Sequence, residues 1–310
     1  MTRSTSSRTD GSHLRKGPGR WRCATRGFTL IELSVVLVAV GLLIGGLLVA
    51  LSTQVEASKV ARAERQLEEI REALLGFAAA HGRLPCPATE ASDGAESPSP
   101  PGSTCVNSGG GVSEHGFVPA RTLGLGGTRN PDGLLVDPWG NPYRYSVSAA
   151  NDDPSNPGNP DNFWDFVVAG QMRAVGMSRL TPDLAICNTP SAMLNPATCD
   201  ITPDVVVGDD PATPAVVERG VPVIFYSLGP DGSTFADTAA VPLDEIENAG
   251  ELAAPPFWMT GPGAQTGESY LIASDKVFVA HPRTGTFDDL VEWISPYLLY
   301  SRMIAAGQLP

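Results

Sequence analysis

Between Phe28 and Leu51 the chain runs FTLIELSVVLVAVGLLIGGLLVAL, about 24 residues with a single charged side chain. At about 1.5 Å rise per residue, a helix of that length covers the ~30 Å hydrocarbon core of a bilayer. The run is therefore read as a transmembrane helix. Residues 1–27 carry seven basic side chains (Arg3, Arg8, Arg15, Lys16, Arg20, Arg22 and Arg26) against the single acid Asp10, a net +6. The positive-inside rule then holds the N-terminus in the cytoplasm and sends the rest across. An ordinary secretory signal has a shorter apolar stretch ending in a small-residue cleavage site. Here the apolar stretch is longer, no A-x-A motif ends it, and the small residue Gly27 stands before it. A cut at Gly27 would remove the basic leader and keep the membrane helix.

Removing the leader's +6 from the chain's net charge of -13 leaves -19 for the remainder. So acidic a surface repels phosphate backbones, and no nucleic-acid partner is expected. Cys23 lies in the leader. Cys86, Cys105, Cys187 and Cys199 fall in Pro/Gly-rich, loop-like sequence and read as two disulfides, which require an oxidising compartment. Four cysteines allow three pairings, and short loop closure favours Cys86 with Cys105 and Cys187 with Cys199. A four-cysteine metal site is the competing reading, but no CxxC pair exists to start one.

The segment Gly27-Phe28-Thr29-Leu30-Ile31-Glu32 resembles the cleavage and methylation motif of type IV prepilins and type II secretion pseudopilins. The resemblance implies that a prepilin peptidase cuts after Gly27 and N-methylates Phe28, and that Glu32 is the assembly residue. Physical chemistry supports that role for Glu32. A charge in a membrane segment costs roughly 2.5 to 3.5 kcal/mol at the helix centre and marks a function and a partner. Cleavage creates a partner, the α-amine of Phe28, which on one subunit is expected to pair with Glu32 of its neighbour and set their axial register. The bland alternative is a carboxylate that snorkels to the headgroups. Gly41 and Gly45 have GxxxG spacing and Gly46 follows; this fits close helix approach or local loosening, and equally common glycine use in membrane helices.

Past Leu51 the pattern becomes amphipathic. Ala63, Leu67, Ile70, Leu74 and Phe77 recur at spacings of four and three, with Glu56, Lys59, Arg62, Glu68, Glu69, Arg71 and Glu72 on other faces. No proline interrupts residues 28–84, so one helix is expected to end at Gly82. Its second half would present its stripe to a head domain; about two heptads are short for an independent coiled coil.

Residues 85–130 read as a long loop stapled by Cys86 and Cys105. Strands are expected at 133–136, 143–147, 221–228 and 276–280, with a tight turn at Asp137-Pro-Trp-Gly-Asn-Pro-Tyr143. DPWGNPYRY and Tyr226-Ser-Leu-Gly-Pro-Asp-Gly232 are similar to segments of the major pseudopilin of type II secretion, where the second opens a calcium-binding loop. By that resemblance Asp231, Ser233 and Asp237, with carbonyls near Leu228, would supply the hard oxygen ligands calcium needs; a solvated acidic turn is the plain alternative. The head is larger than in that protein, with an insertion-like stretch at 150–220 and a helix expected over 287–304, kinked or divided at Pro296. These additions point to a minor or specialised subunit.

The expected fold is α+β and pilin-like: leader 1–27, transmembrane and filament-core helix 28–51, amphipathic periplasmic helix 52–82, and head 83–310 with an antiparallel sheet, large loops and a C-terminal helix. No HExxH, GxSxG, P-loop or dinucleotide fingerprint occurs, so no enzyme is expected. Two function classes follow. One is a filament subunit of a type IV pilus or secretion pseudopilus, with prepilin peptidase, other pilin or pseudopilin subunits, an inner-membrane assembly platform and the lipid bilayer as partners. The other is a membrane-anchored periplasmic binding protein using the helix as a tether.

Overall fold

The computed structural model describes residues 29–99, 102–187, 216–230, 232, 248, 276–284 and 287–310, without the side chains of 44–53 and 216. The chain divides into two compact units, Met1–Gln54 and Val55–Pro310. One helix, α1 (Leu30–His81), enters both. It stops where the sequence puts a glycine: Gly82 takes φ 67°, and its N–H donates to the Ala78 carbonyl at 2.9 Å. That left-handed turn satisfies an end carbonyl without a Cβ penalty.

In the first unit every large apolar side chain described from Leu30 to Leu43 is exposed, from 43% at Val40 to 87% at Leu30. Among the described residues no helix is long and apolar enough to cross a membrane. The described side chains of this segment end at Leu43, about 20 Å of helix from Leu30 against the ~30 Å a bilayer core requires. The remainder of the apolar run lies outside them.

In the second unit the expected stripe is buried. Ala63, Leu67, Ile70 and Leu74 are at most 1% exposed, each larger residue contributing roughly 1.5–3 kcal/mol by burial. Leu75 and Ala78 complete the stripe, while Phe77 is half-buried and stacks on His81 with ring centroids 4.1 Å apart.

The stripe packs on a four-stranded antiparallel sheet in the order β1 (His115–Phe117), β2 (Arg144–Val147), β5 (Val223–Ser227), β7 (Leu290–Ile294). Successive side chains on a strand face opposite ways. Thus Val223 and Phe225 of β5 join the cluster with α1, while Ile224 and Tyr226 join a second cluster with Leu184, Ile186 and Phe278. That second face is covered by a three-stranded sheet in the order β4 (Val216–Val221), β3 (Leu184–Cys187), β6 (Val277–Val279). A short helix α2 (Gln171–Val175) and a C-terminal helix α3 (Pro296–Ala305) complete the head.

Several expectations are corrected. The segment expected to begin a helix at Phe287 forms strand β7, paired with β5 from Val223↔Ile294 to Ser227↔Leu290. Its alternation fits a strand with both faces covered: Leu290 and Ile294 pack toward α1, Val291 and Trp293 toward the second sheet. Pro296 does not kink a helix but opens one at the first helical position, behind Ser295, whose Oγ accepts the Leu298 N–H at 3.4 Å. Residues 133–136 form only isolated bridges, Arg129↔Leu135 and Val136↔Pro142. The described residues of the 150–220 stretch supply β3 and most of β4, and Leu184 and Ile186 among them lie in the core. Nor is the head wholly antiparallel, because β3 pairs with β6 in parallel.

Candidate assembly site at the start of the long helix

Helix α1 begins with a reciprocal pair of hydrogen bonds. The Glu32 N–H donates to Thr29 Oγ1 at 3.2 Å, and the Thr29 N–H donates to Glu32 Oε2 at 3.4 Å. Thr29 Oγ1 also donates to the same carboxylate oxygen at 3.4 Å. This is a capping box, which satisfies two helix N–H groups that have no partner inside the helix. The carboxylate is held back over Thr29, beside the helix N-terminus, where the macrodipole favours negative charge. Glu32 is exposed, so the carboxylate is open to a cation arriving at the start of the helix. The Thr29-x-x-Glu32 spacing is legible in the sequence, although on its own it signals only a cap. Gly27 and Phe28 lie outside the described residues.

In the head, the two segments that resemble the major pseudopilin meet. The Asp137 carboxylate accepts the N–H groups of Trp139, Gly140 and Asn141 through Oδ1 (2.9, 2.8 and 2.9 Å) and Ser227 Oγ through Oδ2 (2.6 Å). Burial raises its pKa from the ordinary carboxylate value, with those donors opposing the shift. Asn141 Nδ2 donates to the Gly229 carbonyl at 2.6 Å, and Trp139 Nε1 to Glu56 of α1 at 2.9 Å. The turn thus ties the end of β5 to α1. Asp231, Ser233 and Asp237, the residues read as calcium ligands, lie outside the described residues. Among the described residues, no group of three or more His, Cys, Asp or Glu side chains is arranged to hold a metal ion.

Cys86 and Cys105 are bonded, with Cα atoms 5.4 Å apart. Cys187 is also disulfide-bonded; Cys199 lies outside the described residues. Next to the first disulfide is a pair that sequence reasoning did not find. Arg83 and Glu96, each 6% exposed, form a two-pronged ion pair at 2.8 Å on both prongs, and Glu96 also accepts the Cys86 N–H at 3.2 Å. Nothing in the local sequence links two charges thirteen positions apart.

His115 of β1 is 7% exposed; its Nδ1 lies 2.9 Å from Ser146 Oγ and its ring centroid 6.2 Å from that of Phe278 on the other sheet. Burial depresses its pKa to about 4, and Lys276 adds to the effect against the raising influence of Glu114 and Asp183. A histidine held neutral in the fold but titrating near 6.5 when unfolded contributes stability above pH 6.5 that is lost as pH falls toward 4. The shift corresponds to about 3 kcal/mol. Buried Asp165, raised to about 7 chiefly by burial, acts in the opposite sense, losing stability as pH rises through 7. Denaturant titrations from pH 7 to 4 are therefore expected to show wild type losing about 3 kcal/mol relative to His115→Gln; equal slopes for the two would contradict the assignment.

Residues 22–48 match the family described as the prokaryotic N-terminal methylation motif. No curated protein and no solved structure matches the chain. Thr29, Glu32 and the opening turns of α1 fall inside the matched segment, so the capped, carboxylate-bearing helix start is the part of the molecule with a known counterpart. The chain thus carries a prepilin-type N-terminal methylation motif at residues 22–48, which supports its place in the type IV pilin and pseudopilin family.

Proposed function

We propose that this chain is a structural subunit, a minor pilin or pseudopilin, of a type IV pilus-like or type II secretion filament. The observation that carries the reading is the methylation motif running directly into α1, with Glu32 exposed in the first turn. In this reading prepilin peptidase removes residues 1–27 and methylates Phe28. The segment 28–51 inserts in the bacterial inner membrane, and the head folds in the periplasm, where the Cys86–Cys105 bond forms. Subunits then leave the bilayer through an assembly platform and pack helix against helix, the Phe28 amine of one subunit meeting Glu32 of another. The capping box supports the last step, because it presents the carboxylate at the helix start while leaving it exposed. The enlarged head, with its second sheet, favours a specialised position over a bulk shaft subunit. The chain itself carries out no reaction in this account.

Mass spectrometry of the mature protein tests the reading, with methylated Phe28 expected at the N-terminus. An intact leader would instead favour a membrane-tethered binding protein. The variant Glu32→Ala is expected to insert and be processed normally but to lose at least tenfold in filament incorporation, the loss of about 1.4 kcal/mol or more of pairing per contact. Incorporation at the wild-type level would remove the role given to Glu32.

A further inference from the structure

Three charged side chains stand one residue before three strands: Glu114 before β1, Asp183 before β3 and Lys276 before β6. β3 and β6 are parallel neighbours with Ala185 opposite Val277, and the Ala185 N–H donates to the Lys276 carbonyl at 2.8 Å. Across that pair Lys276 Nζ meets Asp183 Oδ2. The other carboxylate oxygen, Oδ1, accepts the Ser148 hydroxyl at 2.6 Å and the Ala149 N–H at 3.1 Å. Ser148 is fully buried, and its Oγ accepts the Asp183 N–H at 3.2 Å. Glu114 Oε1 lies 4.0 Å from Lys276 Nζ and 3.8 Å from His115 Nε2, a buried nitrogen with no hydrogen bond among the described residues. Burial keeps the His115 ring neutral, so Lys276 is the cation that faces Glu114 here.

We propose that Lys276 and Asp183 condense to an isopeptide bond within the chain, with Glu114 as the proton carrier. An amine, a carboxyl group whose second oxygen is held by two donors, and a second acid near the amine are the parts that amide formation needs. Nζ attacks Cγ, the Nζ–Cγ bond forms, and charge collects on Oδ1, where Ser148 and Ala149 donate to it. Glu114 takes protons from Nζ and delivers them to Oδ2. The Cγ–Oδ2 bond then breaks. Oδ2 leaves as water with two of the ammonium hydrogens, and the third stays on the amide nitrogen. One positive and one negative charge are consumed together, and nothing is oxidised or reduced. Groups held in reacting geometry by a fold behave as if at an effective concentration on the order of 10⁵–10⁸ M, which free amines and carboxylates in water never reach. As a plain ion pair between partly exposed side chains the contact adds little to stability. As an amide it fixes the three-residue β6 to β3, whose other end is tied through the disulfide at Cys187. The reaction happens once per chain, on no outside substrate, and the inference does not depend on the filament reading.

Peptide mass spectrometry of the full chain, purified in detergent and digested after reduction of its disulfides, reads the bond directly. Wild type should give one branched peptide that joins the Lys276 and Asp183 segments and is lighter by one water than the two linear peptides together. Recovery of the linear peptides alone would overturn the proposal without any variant having to fold. Lys276→Arg keeps the positive charge but has no amine to condense, so only linear peptides are expected; a branched peptide persisting there would refute the assignment to Lys276. In Glu114→Gln the branched peptide should fall at least tenfold while hydrogen exchange of the β5 amides stays as slow as in wild type, which separates a lost proton carrier from a lost fold. A wild-type yield of the branched peptide in Glu114→Gln would remove the role given to Glu114.

Discussion

Gly27→Leu is expected to leave the basic leader attached and to abolish filament incorporation, while the protein still reaches the membrane. The physical argument rests on order along the chain. The small residue precedes the apolar run, so a peptidase acting there works at the cytoplasmic face, on backbone that Gly27 leaves unencumbered. A leucine puts a branched side chain against the scissile bond. Without cleavage no α-amine forms on Phe28, and the Glu32 carboxylate has no counter-charge from a neighbouring subunit. The loss is therefore all-or-none, in contrast to Glu32→Ala, which removes one partner of a pair and leaves helix packing in place. Intact-mass measurement on membrane fractions reads it directly: a mature N-terminus at Phe28 in Gly27→Leu would refute the argument.

The second large effect concerns the head. Glu96→Ala is expected to destabilise it by about 3–5 kcal/mol, because it leaves the buried Arg83 guanidinium without its counter-charge. That is a large part of the 5–15 kcal/mol by which a domain is ordinarily stable. The Cys86 N–H loses an acceptor as well, and the loss falls where the Cys86–Cys105 loop leaves α1. Replacing both partners, Arg83→Met with Glu96→Leu, removes the uncompensated charge and should recover most of the stability. Urea denaturation of the three proteins decides the matter. A loss below about 1 kcal/mol in Glu96→Ala would mean that the pair is solvated and weak.

Much of the N-terminal region was readable because its signals are local. Gly82 ends α1 through its own backbone freedom, and the stripe Ala63, Leu67, Ile70 and Leu74 is buried because helical spacing alone puts those residues on one face. Pairing of Cys86 with Cys105 follows from a short loop. In the head, local signals ran out. Residues 290–294 carry apolar side chains at intervals that suit a short helix or a two-sided strand, and only the open edge of β5 beside them selects the strand. The insertion-like 150–220 stretch gave no warning that Leu184 and Ile186 would cover the outer face of the main sheet.

What the sequence by itself determined, then, is the segment around Glu32: a methylation motif over residues 22–48 that runs into a long helix with Glu32 in its first turn. Each of these acts through neighbours within a few residues, so one-dimensional spacing carries the physics. Only the tertiary structure decided the Arg83–Glu96 fork, the parallel pairing of β3 with β6, and the two hydrogen bonds between the Asn248 side chain and the Val279 backbone. Those join groups far apart in the chain, and their energies exist only once the fold has excluded water from around them.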